Sequence, residues 1–151
     1  MKKVFMPVLI AVLCAALLCG CGAGSAEIDP EALAQELAEK VPFEDQLSLA
    51  PEAAAEKLYA IVDAERAFIY TGSGATAEEI AVFEFADEAG AKDGLALARQ
   101  RIERQTEDYA SYIPEELPRL ENAVLRQSGR YLAVCVSAGA EAEEIIEAWL
   151  G

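Results

Sequence analysis

The 151-residue chain has no histidine, one tryptophan, four cysteines and only 12 basic side chains against 27 acidic ones. Without imidazole there is no Ser-His-Asp or Cys-His pair and no histidine-ligated metal. A net charge of −15 argues against nucleic acid as a partner, because no basic surface is available to displace phosphate counterions. Ser73, Ser128 and Ser137 all lie outside any Gly-x-Ser-x-Gly elbow, and no spacing links a serine to Lys40, Lys57 or Lys92. The acids form no D-x-[DN]-x-[DN]-G calcium loop. No catalytic residue, metal ligand or cofactor is assigned on these grounds.

What the chain has first is an export signal. Met1-Lys2-Lys3 is a cationic start, followed by an uncharged apolar run from Val4 to Leu18. That run is too short for the ~20 residues that span a bilayer but fits a signal peptide. It ends in Leu18-Cys19-Gly20-Cys21, which resembles a bacterial lipobox, with leucine at −3, a small residue at −1 and cysteine at +1. The resemblance implies diacylglycerol on the Cys21 thiol and cleavage before it. The expected organisation is therefore a lipoprotein signal at 1–20, a short tether at 21–27 carrying the lipidated Cys21, and one domain at 28–151. The expected location is the extracytoplasmic face of the cell membrane, held there by lipid. Cys14 and Cys19 leave with the signal, as do Lys2 and Lys3, so the exported chain carries 10 basic and 27 acidic groups, a net charge of −17. Cys135 is then alone, inside the apolar run Tyr131-Leu132-Ala133-Val134-Cys135-Val136, where it reads as a small core hydrophobe.

Asp29 as N-cap and Pro30 at the first helical position predict a helix to about Lys40, with Leu33, Leu37 and Val41 as its apolar stripe. A second helix is expected from Pro51, turning Ala54, Leu58, Ile61 and Val62 inward. The aromatic and β-branched run 67–71 reads as a strand. Residues 80–85 read as another, with Phe83 and Phe85 on one face and Val82 and Glu84 on the other. A long helix over about 88–109 places Ala91, Leu95, Ala98, Ile102 and Tyr109 on one side, and Gly90 and Gly94 weaken its first turns. Pro114 and Pro118 break the next segment into short turns. Runs 123–127 and 130–136 predict a hairpin around Ser128-Gly129. A final helix over about 140–150 buries Ala142, Ile145, Ile146, Trp149 and Leu150. The order ααβ-βα-ββα predicts an α+β fold of about four mostly antiparallel strands with helices packed on one face.

Several stretches carry a family likeness: the lipobox start, Tyr70 with the segment Ser73-Gly74-Ala75-Thr76-Ala77-Glu78-Glu79-Ile80-Ala81-Val82-Phe83, the long charged helix, and Leu120-Glu121-Asn122-Ala123-Val124 leading into Gly129-Arg130-Tyr131. Together they resemble the bacterial lipoprotein family of domain of unknown function 4358, over about residues 29–150. The resemblance implies a small, single-domain, membrane-anchored bacterial protein and brings no established activity and no catalytic residue.

The one glycine-rich loop, residues 72–76, lacks the lysine and spacing of a phosphate loop and is followed by Glu78 and Glu79, which repel anions. It reads as a connection in which Thr76 caps a brief helical turn. Tyr70, Ser73 and Thr76 are the candidate ligand contacts. The acid pairs Glu44-Asp45, Glu78-Glu79, Asp87-Glu88, Glu115-Glu116 and Glu143-Glu144 read as solvated surface, and Asp87-Glu88 and Glu143-Glu144 also suit helix N-termini. The expected function is a non-enzymatic, lipid-anchored binding module, whose charge either biases it toward a cationic protein or ligand or serves solubility alone. The alternative is a small extracytoplasmic hydrolase using carboxylates near residues 72–76.

Overall fold

In the computed structural model, which describes residues 26–151, the first element starts where a capping aspartate and a proline meet. Asp29 accepts a hydrogen bond from the Glu31 N–H and Pro30 opens helix α1, Pro30–Lys40. A two-residue strand β1, Ser48–Leu49, leads to the short helix α2, Ala54–Tyr59. Strands β2, Arg66–Thr71, and β3, Glu79–Glu84, are joined by the glycine-rich loop. The long helix α3, Glu88–Tyr112, is capped by Asp87, whose side chain accepts from the Gly90 N–H. A 3-10 turn at Pro114–Glu116 and helix α4, Leu117–Glu121, occupy the proline-rich segment. The hairpin of β4, Val124–Ser128, and β5, Tyr131–Val136, precedes the last helix α5, Glu141–Leu150.

The fold is α+β, with a five-stranded, wholly antiparallel sheet in the order β1-β2-β3-β5-β4. The expected strand count was about four; β1 is the addition, and two residues are too few for a period-two pattern to register. The helices do not share one face. Leu33 and Leu37 of α1 and Ala142, Ile146 and Leu150 of α5 pack on Ile80, Val82, Tyr131, Ala133 and Cys135. Tyr59 of α2 and Ala91 and Ala98 of α3 pack on Ala81, Phe83, Leu132 and Val134 on the other side. Every residue of β3 and β5 is buried, and between the charged ends of β3 both strands are apolar toward both faces, so a single helical layer would leave one exposed. Within each layer the two helices are tied together: Trp149 Nε1 of α5 donates to Glu36 of α1 at 2.8 Å, and the Arg104 guanidinium of α3 donates to the Leu58 carbonyl of α2 at 3.2 Å.

Three local expectations need correction. Ser128 pairs with Tyr131, so the hairpin loop is Gly129-Arg130 rather than Ser128-Gly129. Gly129 has φ +52° in the first loop position, which a type II′ connection requires. Val62 is exposed and Tyr59 takes the inward position, because α2 ends at Tyr59 and Ala60 turns left-handed (φ 57°), rotating the chain beyond it. Gly90 and Gly94 are more than weak helix formers: both lie against the Phe85 ring, and a Cβ on Gly94 would sit 2.4 Å from Phe85 Cζ.

Candidate functional site

The loops at one end of the sheet meet around the start of β3, and there the structure places three of the four acids buried among the described residues, Glu78, Glu79 and Glu116; the fourth, Glu84, ends β3 at the other side and pairs with Arg130 at 2.6 Å. Glu78 and Glu79 are 3% and 2% exposed, not solvated as their sequence context predicted. Glu79 begins β3 and alternates with Ala81 and Phe83, so the strand pleat aims it into the layer beneath α3. Arg101 of α3 grips it bidentately, Nε to Oε1 at 2.9 Å and the guanidinium NH2 to Oε2 at 2.5 Å. The Tyr59 hydroxyl also donates to Oε1. The Tyr59 ring packs edge-on against Phe83 and lies under the Arg101 guanidinium. Burial would lower the Arg101 pKa, but its hydrogen bonds to Glu79 and that carboxylate's charge outweigh it and raise the value. Burial, followed by the Glu79 charge, holds the Tyr59 phenol well above its usual range.

A second network lies beside it. Glu78 accepts from the backbone N–H groups of Glu44 (3.0 Å) and Asp45 (2.9 Å) and from the Thr76 hydroxyl (3.1 Å). Arg119 of α4 reaches both oxygens of Glu116 at 2.7 Å, pairs with Glu44, and lies 3.7 Å from Glu78. Glu116 is buried and accepts from the Ala77 N–H at 2.8 Å. Arg119 therefore ties three segments together: 41–47, 72–78 and 113–121. Burial opposes its charge, but hydrogen bonds to Glu44 and Glu116 raise its pKa.

The glycine-rich loop is held by the same neighbours. Asp45 accepts from both the N–H and the hydroxyl of Ser73 at 2.6 Å, and these bonds lower the Asp45 pKa. The Tyr109 hydroxyl donates to the Thr76 carbonyl at 2.6 Å. Thr76 caps no helical turn, since residues 72–78 are irregular; its hydroxyl serves Glu78 instead. Tyr70 lies on β2 against the core beneath α1, and burial raises its pKa. Ser73 and Thr76 thus share the loop, and Tyr70 belongs to the packing of the sheet face. Cys21 and the export signal lie outside the described residues. Among the described residues, no group of three or more His, Cys, Asp or Glu converges to hold a metal ion.

Tyr59, Arg101, Glu116 and Arg119 were not identified from the sequence as members of this site. One signal was available: Glu79 directly precedes an apolar strand run and shares the parity of Ala81 and Phe83. A carboxylate at an inward strand position needs a partner, because an unpaired buried charge costs several kcal/mol. Chemically the cluster is closed. The oxygens of Glu78, Glu79 and Glu116 are engaged by arginine, tyrosine, threonine or backbone donors, an arrangement that fixes loops to the sheet.

Cys135 is buried in the core beneath α1, as its apolar run predicted. Burial pushes its thiol up to about 12, with the Ser137 hydrogen bond partly opposing and the Glu78 charge adding. It should resist iodoacetamide in the native state and react once the chain is unfolded. The folded value lies above the unfolded one, so the neutral thiol's share of stability is whole below about pH 9 and is lost as pH climbs toward about 12. Urea titrations of the parent and Cys135→Ala across that window check it: both lose stability as Tyr59 is driven to ionise, and the parent should lose more than the variant.

No curated protein and no solved structure matches the chain. The family model for domain of unknown function 4358 (DUF4358) matches residues 41–137. That span holds all five strands, the glycine-rich loop and both buried networks, and leaves out α1 and α5. The chain belongs to the family of domain of unknown function 4358.

Proposed function

We propose that the protein is a lipid-anchored, non-enzymatic binding module on the extracytoplasmic face of the cell membrane. The observation that carries the reading is Leu18-Cys19-Gly20-Cys21 at the end of an apolar run behind two lysines. The folded domain begins close behind it. Ile28 packs against the core beneath α1, and its N–H donates to the Tyr131 hydroxyl at 3.4 Å. Ile28 lies seven positions after Cys21, a reach of at most ~25 Å, which would keep the end of the sheet bearing Tyr131 near the bilayer. The loops with the buried networks lie at the opposite end of the sheet. Among the described residues no helix is long and apolar enough to cross a membrane.

A non-enzymatic role is favoured by the state of the acids. A hydrolase working through carboxylates near residues 72–76 needs one facing substrate with a free oxygen. Glu78 and Glu79 face inward and are saturated with donors. Growth of cells with labelled palmitate should label the parent protein and leave Cys21→Ala unlabelled and released from the membrane fraction. Label on Cys21→Ala would refute the anchor.

A further inference from the structure

The edge of the sheet beside α2 is only partly covered. Strand β1 pairs its two residues with Tyr70 and Thr71, and the Ala50 N–H adds one more bond to the Ile69 carbonyl at 2.8 Å. Pro51, which has no N–H, then turns the chain away into α2. Among the described residues, no strand lies beside the outer edge of β2 from Arg66 to Phe68. Because Ile69 faces β1, the two-residue alternation of an antiparallel strand turns the N–H and C=O of Ala67 to the same uncovered side. These groups open onto a cavity of about 700 Å³ between β2, α2 and residues 61–65.

The walls of this groove are apolar and its rim is acidic. Leu49 and Val62, 56% and 76% exposed, line it together with Ile61 and Phe68. They are two of the three large hydrophobic side chains described as exposed in the molecule, so the apolar surface is concentrated here rather than scattered. Glu52, Glu56 and Glu65 stand on the rim, exposed and, among the described residues, in no ion pair. The one cation in the lining, Arg66, is surrounded by Asp29 (3.1 Å), Glu31 (3.7 Å) and Glu84 (3.6 Å).

From this juxtaposition we propose that the groove binds an extended, lysine- or arginine-bearing segment of a partner protein, which continues β1 along the open edge of β2. The unpaired backbone of Ala67 asks for another backbone, as in strand addition, and alternate apolar side chains of the segment fit Leu49, Val62 and Phe68. The three acids select cations, and the chain's own net charge of −15 disfavours a second copy of itself as the occupant. This rests on the binding-module reading and supplies its surface and partner class, but it does not depend on lipidation.

The test uses the full chain in detergent, as parent and as Cys21→Ala, with two fluorescein-labelled hexapeptides, Lys-Val-Lys-Val-Lys-Val and Glu-Val-Glu-Val-Glu-Val. Anisotropy should show the lysine peptide binding about tenfold or more tightly than the glutamate peptide, weakening with salt, and equally in both proteins. Replacing Glu52, Glu56 and Glu65 together by glutamine should weaken the lysine peptide about tenfold with the melting temperature retained. Saturation should slow hydrogen exchange at the Ala67 amide. Absence of binding, equal affinity for both peptides, an unaffected triple variant, or binding without protection at Ala67 would each overturn the proposal. Unlabelled Cys21 with intact peptide binding would instead overturn only the anchor.

Discussion

Arg101→Ala is expected to cost the fold about 3–5 kcal/mol, because it leaves the Glu79 carboxylate buried at the start of β3 without its cation. Three neighbours now stabilise that carboxylate's charge: two guanidinium donors and the Tyr59 hydroxyl. Removing the guanidinium leaves one neutral donor inside a layer lined by Phe83 and Leu132. The loss is a large share of the roughly 5–15 kcal/mol available to a domain. Urea unfolding of the variant measures it, and Arg101→Ala with Glu79→Gln is the informative partner. Glutamine removes the charge and keeps the shape, so the double variant should recover part of the loss. A single variant within 1 kcal/mol of the parent, or a double variant no better than the sum of the two singles, would show that solvent reaches Glu79. The cluster would then be a surface pair of little worth.

Gly94→Ala is expected to destabilise by about 1–3 kcal/mol, against the usual direction of that substitution in a helix. Alanine in place of glycine ordinarily gains up to ~1 kcal/mol of helix propensity. Here the added methyl would lie 2.4 Å from Phe85 Cζ and about 3 Å from both Cε atoms, in a buried part of α3. The ring has nowhere to retreat: Phe85 is fully buried and stacked at a tilt on Phe83, 6.2 Å between centroids. Gly90→Ala supplies the control, because its Cβ would meet Phe85 at 3.3 Å and a small shift relieves it. Denaturation midpoints should fall for Gly94→Ala, move little for Gly90→Ala, and recover for Gly94→Ala with Phe85→Leu. A Gly94→Ala protein as stable as its parent would mean the ring repacks freely.

These two effects also mark what could be read before the fold was known. The cap Asp29, the stripe of α1, the parity of Phe83 and Phe85 and the face of α5 rest on chemistry within one or two turns of chain, and they were legible. Partners across the chain were not. Glu79 finds Arg101 at a separation of 22 residues and Ala77 finds Glu116 at 39. A sequence shows that acids outnumber bases but not which acid sits inside the sheet beside which arginine. The same blindness hid the purpose of Gly94, since the ring that forbids a side chain there belongs to the strand end before the helix.

The one-layer expectation failed for a related reason. The hydrophobic runs of β3 and β5 announce burial on both faces, but assigning helices to faces needs the strand order, which is set by which surfaces fit. Local periodicity and capping thus determined the elements and the α+β class, because each element's preference is written in residues a few positions apart. Tertiary structure alone decided that α1 and α5 oppose α2 and α3 across the sheet, that Glu78 and Glu79 are buried, and that β2 keeps an open edge. Those outcomes depend on the summed packing and charge of segments that meet only after the chain has closed on itself.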